Sequence, residues 1–195
     1  MRNKTYFWAV CMLVLVACEP KQKSLSYDEF IANDRKETHE FMNESEDSPF
    51  AGADSTIRLD YYPPNATFKV IAEIERIEKG GQLTLGTSDG VPRIYNKHAF
   101  LNFELDQEPL RLLVLKGEDN DGLFLAFADL TNDDTTYGGG RYINLNFSDQ
   151  ADKITLDFNL AYNPYCEYNA KYSCPLPPVE NYLKVAIEAG EKLYK

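Results

Sequence analysis

The sequence predicts a mainly β fold, either an antiparallel β-sandwich or a partly open barrel, with one α-helix at the N-terminal end of the folded part. Two observations support this. From residue 57 onwards, short runs of alternating apolar and polar side chains recur with turn-forming residues between them. No helix-length pattern separates these runs, which excludes a parallel sheet built with crossover helices.

The predicted helix covers residues 26–43. Ser26 followed by Glu29 is a capping-box pattern, in which each residue bonds the backbone of the other at a helix start. The segment 44–54 contains proline and glycine and therefore ends the helix. The apolar residues of the predicted helix recur at helical spacing: Phe30, Ile31, Phe41 and Met42.

The strands follow the helix and pair through tight turns. Gly80-Gly81 and residues 118–122 are typical turn sequences. With no internal repeat, residues 26–195 are expected to form a single domain, long enough to bury a core. The expected strands are 57–62, 68–75, 83–85, 91–95, 99–105, 110–115, 123–128, 142–147, 154–158 and 183–187.

Residues 1–17 are predicted to be a signal peptide. Arg2 and Lys4 precede an apolar run at 6–16 that is too short to span a bilayer comfortably. The run ends in Leu-Val-Ala-Cys18, which resembles a bacterial lipobox and implies cleavage before Cys18 and its lipidation by acyl chains such as palmitate. The alternatives are an ordinary secretory signal with a chance cysteine, or a short anchor helix.

This interpretation predicts a bacterial cell-envelope protein. Lipid on Cys18 would anchor the chain to the membrane, and residues 18–25 would form a polar tether outside the cytosol. A protein partner in the envelope is a further possibility. The net charge of −11 excludes nucleic acid as a partner, because an acidic surface repels phosphate.

Cys166 and Cys174 are predicted to form a disulfide, since an even pair of cysteines outside the cytosol usually does. A catalytic thiol is less favoured, because His39 and His98 are the only histidines and both lie far away in sequence. A metal site is also less favoured, because the cysteine spacing does not match that of short zinc-ligand pairs. We predict no metal and no cofactor.

The first candidate site is the glycine-rich loop at residues 137–141. Its glycines allow close backbone approach to a ligand, and Arg141 offers a planar set of donors for an anion. The candidate ligand-binding residues are Tyr137, Gly138, Gly140 and Arg141. The alternative is a hairpin in which Asp129 and Arg141 bond each other, with glycine supplying the turn geometry.

The second candidate site follows the strand at 154–158. Asp157 and Asn159 are two residues apart and so face the same side of the strand, and Tyr162 and Asn163 follow them. Together they suggest a polar pocket beside a loop rich in proline and tyrosine. The alternative is structural: the Asp and Asn side chains satisfy the backbone of that long loop.

The combined motifs resemble the bacterial domain-of-unknown-function 1684 family, with Phe50 where leucine is expected and a looser segment at 62–67. The resemblance implies a mainly β domain but no established substrate, cofactor or catalytic residue. The motifs are Asp129-x-Thr131, Thr136-Tyr137-Gly138-x-Gly140-Arg141-Tyr142, Leu156-Asp157-Phe158-Asn159-x-Ala161-Tyr162-Asn163-Pro164-x-Cys166-x-Tyr168, Cys174-Pro175-x-Pro177-Pro178-x-Glu180-Asn181 and Ala189-Gly190-Glu191.

Three functions are compatible with this sequence. The first is an envelope lipoprotein that binds a small anionic or polar molecule without chemistry of its own. Arg141 would then hold the anion, Asn159 and Asn163 would donate hydrogen bonds, and Tyr137 and Tyr162 would form the walls. The second is a hydrolase with Asp157 as base and Arg141 as electrophilic stabiliser. The third is a purely structural or protein-interaction module.

Overall fold

A computed structural model describes residues 25–117 and 122–195. The predicted signal peptide, Cys18 and nearly all of the tether lie outside the described residues, as does most of the predicted turn at 118–122. Within the described ranges, no helix combines the length and the apolar character needed to cross a membrane.

The domain is built on one curled, antiparallel sheet of seven strands that forms a half-barrel. This confirms the mainly β prediction and selects the partly open barrel. The order is β6-β5-β4-β3-β1-β7, with β2 paired to β3. The strands are β1 Lys69–Arg76, β2 Gln82–Leu85, β3 Arg93–Leu105, β4 Glu108–Gly117, β5 Leu123–Phe127, β6 Arg141–Leu145 and β7 Lys153–Asp157.

The longest strand, β3, joins two strands that the sequence predicts separately. Its pairing with β4 shifts between Lys97 and Ala99, and this bulge interrupts the period-two pattern of the side chains. At the far end, Asp106 and Gln107 both have positive φ, which suits a tight two-residue hairpin turn. The β3–β4 hairpin forms the centre of the sheet.

The main core is aliphatic with two central aromatic rings. Phe127 and Phe158 pack edge to face, with ring centroids 5.3 Å apart, and neither is exposed to solvent. Side chains from six strands surround them, which ties the sheet together by burial of apolar area. They include Ala72, Leu101, Leu112, Val114, Leu125, Ile143 and Leu156.

The N-terminal helix α1 spans Tyr27–Glu44 and begins with the predicted capping box. The Glu29 amide donates to Ser26 Oγ at 3.2 Å, and the Ser26 amide donates to the Glu29 carboxylate at 2.8 Å. Ile31 and Met42 are the buried side chains of the helix. Its inner face contacts the 3₁₀ turn Phe158–Leu160, which places α1 beside the end of β7.

Two predicted strands, 57–62 and 183–187, are extended segments without strand pairing. Tyr61 forms one isolated bridge to Glu191, and the Leu183 amide donates to the Ala128 carbonyl at 2.8 Å. The apolar residues of both segments alternate because one side of each segment packs on the domain. The backbone groups of the segments, however, bond the backbone of loops. Alternation therefore reports one-sided burial here and not membership of the sheet.

A second helix, α2, is a single turn that spans Tyr165–Tyr168.

Candidate functional site

Arg141, the predicted anion ligand, is completely buried beneath the C-terminal segment. Its Nη2 donates to Asp129 Oδ2 and to the Ile187 carbonyl, both at 2.9 Å. Its Nη1 donates to the carbonyls of Ala189 and Glu191. Both side chains of the ion pair are 0% exposed. Three of these four hydrogen bonds hold residues 187–191 against the sheet, and the fourth binds Asp129.

This geometry corrects the prediction of an anion pocket at Arg141. Asp129 Oδ1 also accepts hydrogen bonds from Thr131 and from the Ile187 amide, so the carboxylate has its own full set of partners. A ligand would have to displace the C-terminal segment to reach Arg141. The arrangement matches the alternative interpretation, in which Asp129 and Arg141 bond each other.

The glycines of the 137–141 loop serve close packing. A Cβ on Gly138 would overlap the Asp133 carboxylate, and one on Gly139 would overlap the Tyr137 ring. Gly140 has a φ of +85°, and a Cβ there would overlap Pro177. Protein atoms already occupy the space that the anion hypothesis assigned to a ligand.

Asp157 and Asn159 are likewise buried and paired within the protein. The Tyr27 hydroxyl lies 3.0 Å from each carboxylate oxygen of Asp157, which also accepts the Asn159 amide at 3.0 Å. The side chain of Asn159 makes two hydrogen bonds with the backbone of Asn65. Its Oδ1 accepts from the Asn65 amide at 2.8 Å, and its Nδ2 donates to the Asn65 carbonyl at 2.9 Å. Asp157 is thus the N-cap of a 3₁₀ turn. The geometry does not support its predicted role as a general base.

Asn163 binds the buried carboxylate of Glu191, a residue that was not among the site residues predicted from the sequence. The Asn163 amide donates to Glu191 Oε2 at 3.0 Å, and its side chain donates to the Lys192 carbonyl at 2.8 Å. The Tyr168 hydroxyl donates to the other Glu191 oxygen. Burial raises the pKa of Glu191 from 4.5 to about 7, although these hydrogen bonds oppose the rise.

The open site in this region is a cleft of about 560 Å³ between α1 and the end of the half-barrel. Two predicted residues, Asn159 and Tyr162, line it, whereas Tyr137, Gly138, Gly140, Arg141 and Asn163 do not. Its volume is in the range of small-molecule pockets, about 300–1,000 Å³. The other lining residues are Asp34, Glu37, Thr38, Phe41, Met42, Tyr61, Tyr142, Asn144, Leu160, Ala161, Pro164 and Tyr165.

The cleft has aromatic walls and an acidic side. Tyr142 and Tyr162 pack edge to face with ring centroids 6.0 Å apart, and the Tyr162 hydroxyl donates to Asn144 Oδ1 at 2.7 Å. On the helix side, burial and the nearby Glu37 carboxylate raise the pKa of Asp34. The walls therefore suit a flat or cyclic molecule, and the carboxylates suit hydrogen-bond donors or positive charge.

Two other depressions lie away from the predicted site residues. A hollow of about 220 Å³ lies at the C-terminal end of α1, next to residues 50–57. Another, of about 610 Å³, lies along the start of β4 and residues 180–185, where Tyr182 is 57% exposed. Across residues 25–117 and 122–195, no group of three His, Cys, Asp or Glu side chains is placed to hold a metal ion.

Cys166 and Cys174 lie side by side but are not bonded to each other. Both are free thiols, and their sulfur atoms are not at disulfide distance. The Cys166 amide donates to Cys174 Sγ at 3.1 Å, and the Tyr137 hydroxyl lies 3.9 Å from Cys166 Sγ. The sequence thus predicts correctly that Cys166 and Cys174 are neighbours, but no disulfide bond joins them in this structure.

Sequence reasoning missed most of the cleft. Asp34, Tyr61, Asn144 and Tyr165 lie on four separate segments, and no local motif connects them. The available signals were the tyrosines at 61–62 and those of the 157–191 segment, and they lead only to Tyr61, Tyr162 and Tyr165.

The Arg141 network predicts a large loss of stability when the guanidinium is removed. We expect Arg141→Met to lower the free energy of unfolding by about 3–5 kcal/mol, because Asp129 would remain buried without its counterion. Urea denaturation measures this loss. Lys153→Met is the matched control: its ion pair with Glu73 is exposed, so it should cost less than about 1 kcal/mol. Equal losses in the two variants would contradict the assigned role.

The raised pKa of Glu191 predicts a pH dependence of stability. Between pH 4.5 and about 7, the folded state binds more protons at Glu191 than the unfolded state. Its contribution to stability is therefore complete below pH 4.5 and is lost as pH rises through 7. We expect Glu191→Gln to flatten the stability curve across this window, and the exposed control Glu188→Gln to leave its slope unchanged. An unaltered slope in Glu191→Gln would refute this assignment.

Comparison with known proteins identifies the family. A solution NMR structure of an uncharacterized protein from Haloarcula marismortui is similar to this chain, with 37% sequence identity and a TM-score of 0.65. The match covers 84% of this chain and 92% of that one. No curated protein matches the chain. The model of the family described as "Protein of unknown function (DUF1684)" matches residues 57–192, and the chain therefore belongs to that family.

Proposed function

We propose that this protein is an envelope lipoprotein that binds a small polar molecule in the cleft between α1 and the half-barrel, without chemistry of its own. The observation that carries the proposal is the cleft itself. It has ligand-sized volume, tyrosine walls and polar groups on both sides. Tyr162 and Asn159, chosen as ligand-binding residues from the sequence, both lie in it.

The charge of the cleft favours a neutral or cationic ligand over an anion. Asp34 and Glu37 face the cleft from the helix, and none of its lining residues is Lys or Arg. The nearby guanidinium of Arg35 stacks on the Tyr61 ring at 4.6 Å and donates to the Tyr62 carbonyl at 2.8 Å. An amino sugar or another cyclic amine fits these features, since rings stack on tyrosine and ammonium groups pair with carboxylates.

The hydrolase alternative is weaker. It needs an accessible base, whereas Asp157 is buried and accepts hydrogen bonds from Tyr27 and Asn159. It also needs Arg141 beside the substrate, and that side chain is engaged with Asp129 and the C-terminal carbonyls. A binding role requires neither residue.

The proposed location depends on the N-terminal sequence. Arg2, Lys4 and the apolar run before Cys18 have the order of a lipoprotein signal. A tether over residues 18–25 reaches at most about 28 Å when fully extended. Lipid on Cys18 would thus hold the cleft close to a membrane surface, where it meets molecules of the envelope.

Ligand binding predicts that affinity depends on the wall and on the carboxylate. Amino sugars and cyclic amines would be titrated against the full-length protein in detergent, with matched carboxylic acids as comparison. We expect Tyr162→Ala to weaken binding about tenfold through loss of ring stacking. Asp34→Asn should weaken binding of the amines while leaving neutral analogues unaffected.

The control for this experiment is Tyr182→Ala, which removes an exposed tyrosine outside the cleft. It should leave affinity unchanged. Tight binding of the carboxylic acids would contradict the proposed ligand class. Equal effects of Tyr162→Ala and Tyr182→Ala would place binding elsewhere on the protein.

Lipidation predicts that Cys18 alone is required for membrane attachment. In cells labelled with radioactive palmitate, the wild-type protein should incorporate label and partition into detergent. The Cys18→Ala variant should lose both properties, because acyl chains supply the anchoring energy. Cys11→Ala serves as the matched control, since it lies inside the predicted signal and should behave as wild type. Undiminished labelling of Cys18→Ala would disprove the anchor.

A further inference from the structure

Cys166 and Cys174 differ in accessibility although they are neighbours. Cys166, on the single-turn helix α2, is partly exposed, whereas Cys174 is buried. Cys174 packs in a small cluster with Ala126 and Tyr142. Cys166 is therefore the more accessible of the two residues to a reagent from solvent.

The buried cysteine is held in a fixed place. The Cys174 amide donates to Ser88 Oγ at 3.0 Å, and the Ser88 amide donates to the Cys174 carbonyl at 2.9 Å. The next carbonyl, of Pro175, accepts the Tyr142 hydroxyl at 2.6 Å. These bonds keep the Cys174 sulfur against the backbone amide of Cys166.

The exposed cysteine has a hydroxyl group beside its sulfur. The Tyr137 hydroxyl lies 3.9 Å from Cys166 Sγ. The Tyr137 ring covers Gly139, where any side chain would displace it, so the glycine loop positions this hydroxyl. This gives the loop a role that the anion hypothesis did not supply, because it places a hydroxyl group beside the Cys166 sulfur.

We propose that Cys166 and Cys174 form a dithiol site that exchanges with small disulfides such as oxidised glutathione, with Cys166 as the attacking thiol and Cys174 as the resolving thiol. This inference is independent of ligand binding in the cleft. It extends the predicted disulfide from a static cross-link to a reversible one.

The exchange is balanced in two steps. First, the Cys166 thiolate bonds one sulfur of oxidised glutathione, whose S–S bond breaks and releases a glutathione thiolate that takes a proton from water. Second, Cys174 gives its proton to solvent and bonds Cys166 Sγ. The S–S bond between Cys166 and glutathione breaks, and the released glutathione thiolate takes a proton from water. Two protein thiols are oxidised, and one glutathione disulfide is reduced to two thiols.

The electrostatics of the pair agree with this order of attack. Hydrogen bonds from Cys174, Ser88 and Tyr137 lower the pKa of Cys166 to about 6, against the opposing effect of burial. The pKa of Cys174 is raised, first by its interaction with Cys166 and then by burial. Other titratable groups near the pair include Tyr142 from β6, Glu167 from α2 and Arg93 from β3. Tyr162 and Tyr172 also pack against the cluster that contains Cys174.

The test uses the reduced full-length protein and oxidised glutathione. We expect Cys174→Ser to accumulate a mixed disulfide with one glutathione, because the resolving thiol is missing. Cys166→Ser should react at least about tenfold more slowly, since its remaining thiol is buried. The wild type should pass to an internal disulfide without a lasting adduct and return to dithiol in reduced glutathione. Trypsin cleaves after Lys171, so peptide mapping by mass spectrometry separates the two sites.

Alkylation of the reduced wild type provides a readout that does not depend on the folding of either cysteine variant. Iodoacetamide should label Cys166 at least about tenfold faster than Cys174, with half-maximal reactivity near pH 6. Tyr137→Phe should slow labelling of Cys166 only. Equal labelling of the two cysteines would overturn the proposal. So would an oxidised protein that reduced glutathione cannot open, because that result indicates a static cross-link.

Discussion

The buried ion pair between Asp129 and Arg141 is the interaction on which the rest of the structure depends. Removing two charges from water is costly, and here the cost is offset because nearly every polar atom of the pair finds a partner. Thr131 supplies two of those partners, and backbone groups of residues 187–191 supply the other four. The pair therefore acts as a clamp, and it converts a segment without strand pairing into a fixed part of the domain.

The clamp explains why the polar motifs of the sequence do not form an open site. Asp129 and Arg141 face inward and bond the C-terminal segment. Asp157 and Asn159 are also buried, and they bond Tyr27 of α1 and the backbone of Asn65. By fixing residues 187–191, the ion pair also fixes Glu191, which bridges to Tyr61, Tyr168 and the Asn163 backbone. Tyr61 in turn lines the cleft. The buried network thus holds one wall of the cleft in place through Tyr61. The residues proposed to contact a ligand, such as Asp34 and Tyr162, lie outside that network.

The fold could largely be predicted because its signals are local. The capping box of Ser26 and Glu29 marks α1, and side-chain alternation marks the sheet strands. The pairing of Arg141 with Asp129 is one of the two interpretations of the sequence. The hydrogen bonds from Arg141 to residues 187–191 could not be predicted, because a guanidinium beside glycines looks the same whether it meets an anion or the carbonyls of a distant segment. The cleft could not be predicted either, since Asp34, Tyr61 and Asn144 come together only when the helix packs on the half-barrel.

The distance in sequence between Arg141 and its acceptors has a consequence for cooperativity. The acceptor carbonyls of the 187–191 segment lie 46 to 50 residues after Arg141. If this segment detached while β5 and β6 stayed folded, Arg141 would be a buried charge without three of its four hydrogen bonds. The segment and the β5–β6 side of the sheet therefore belong to one cooperative unit, which opens and closes as a whole.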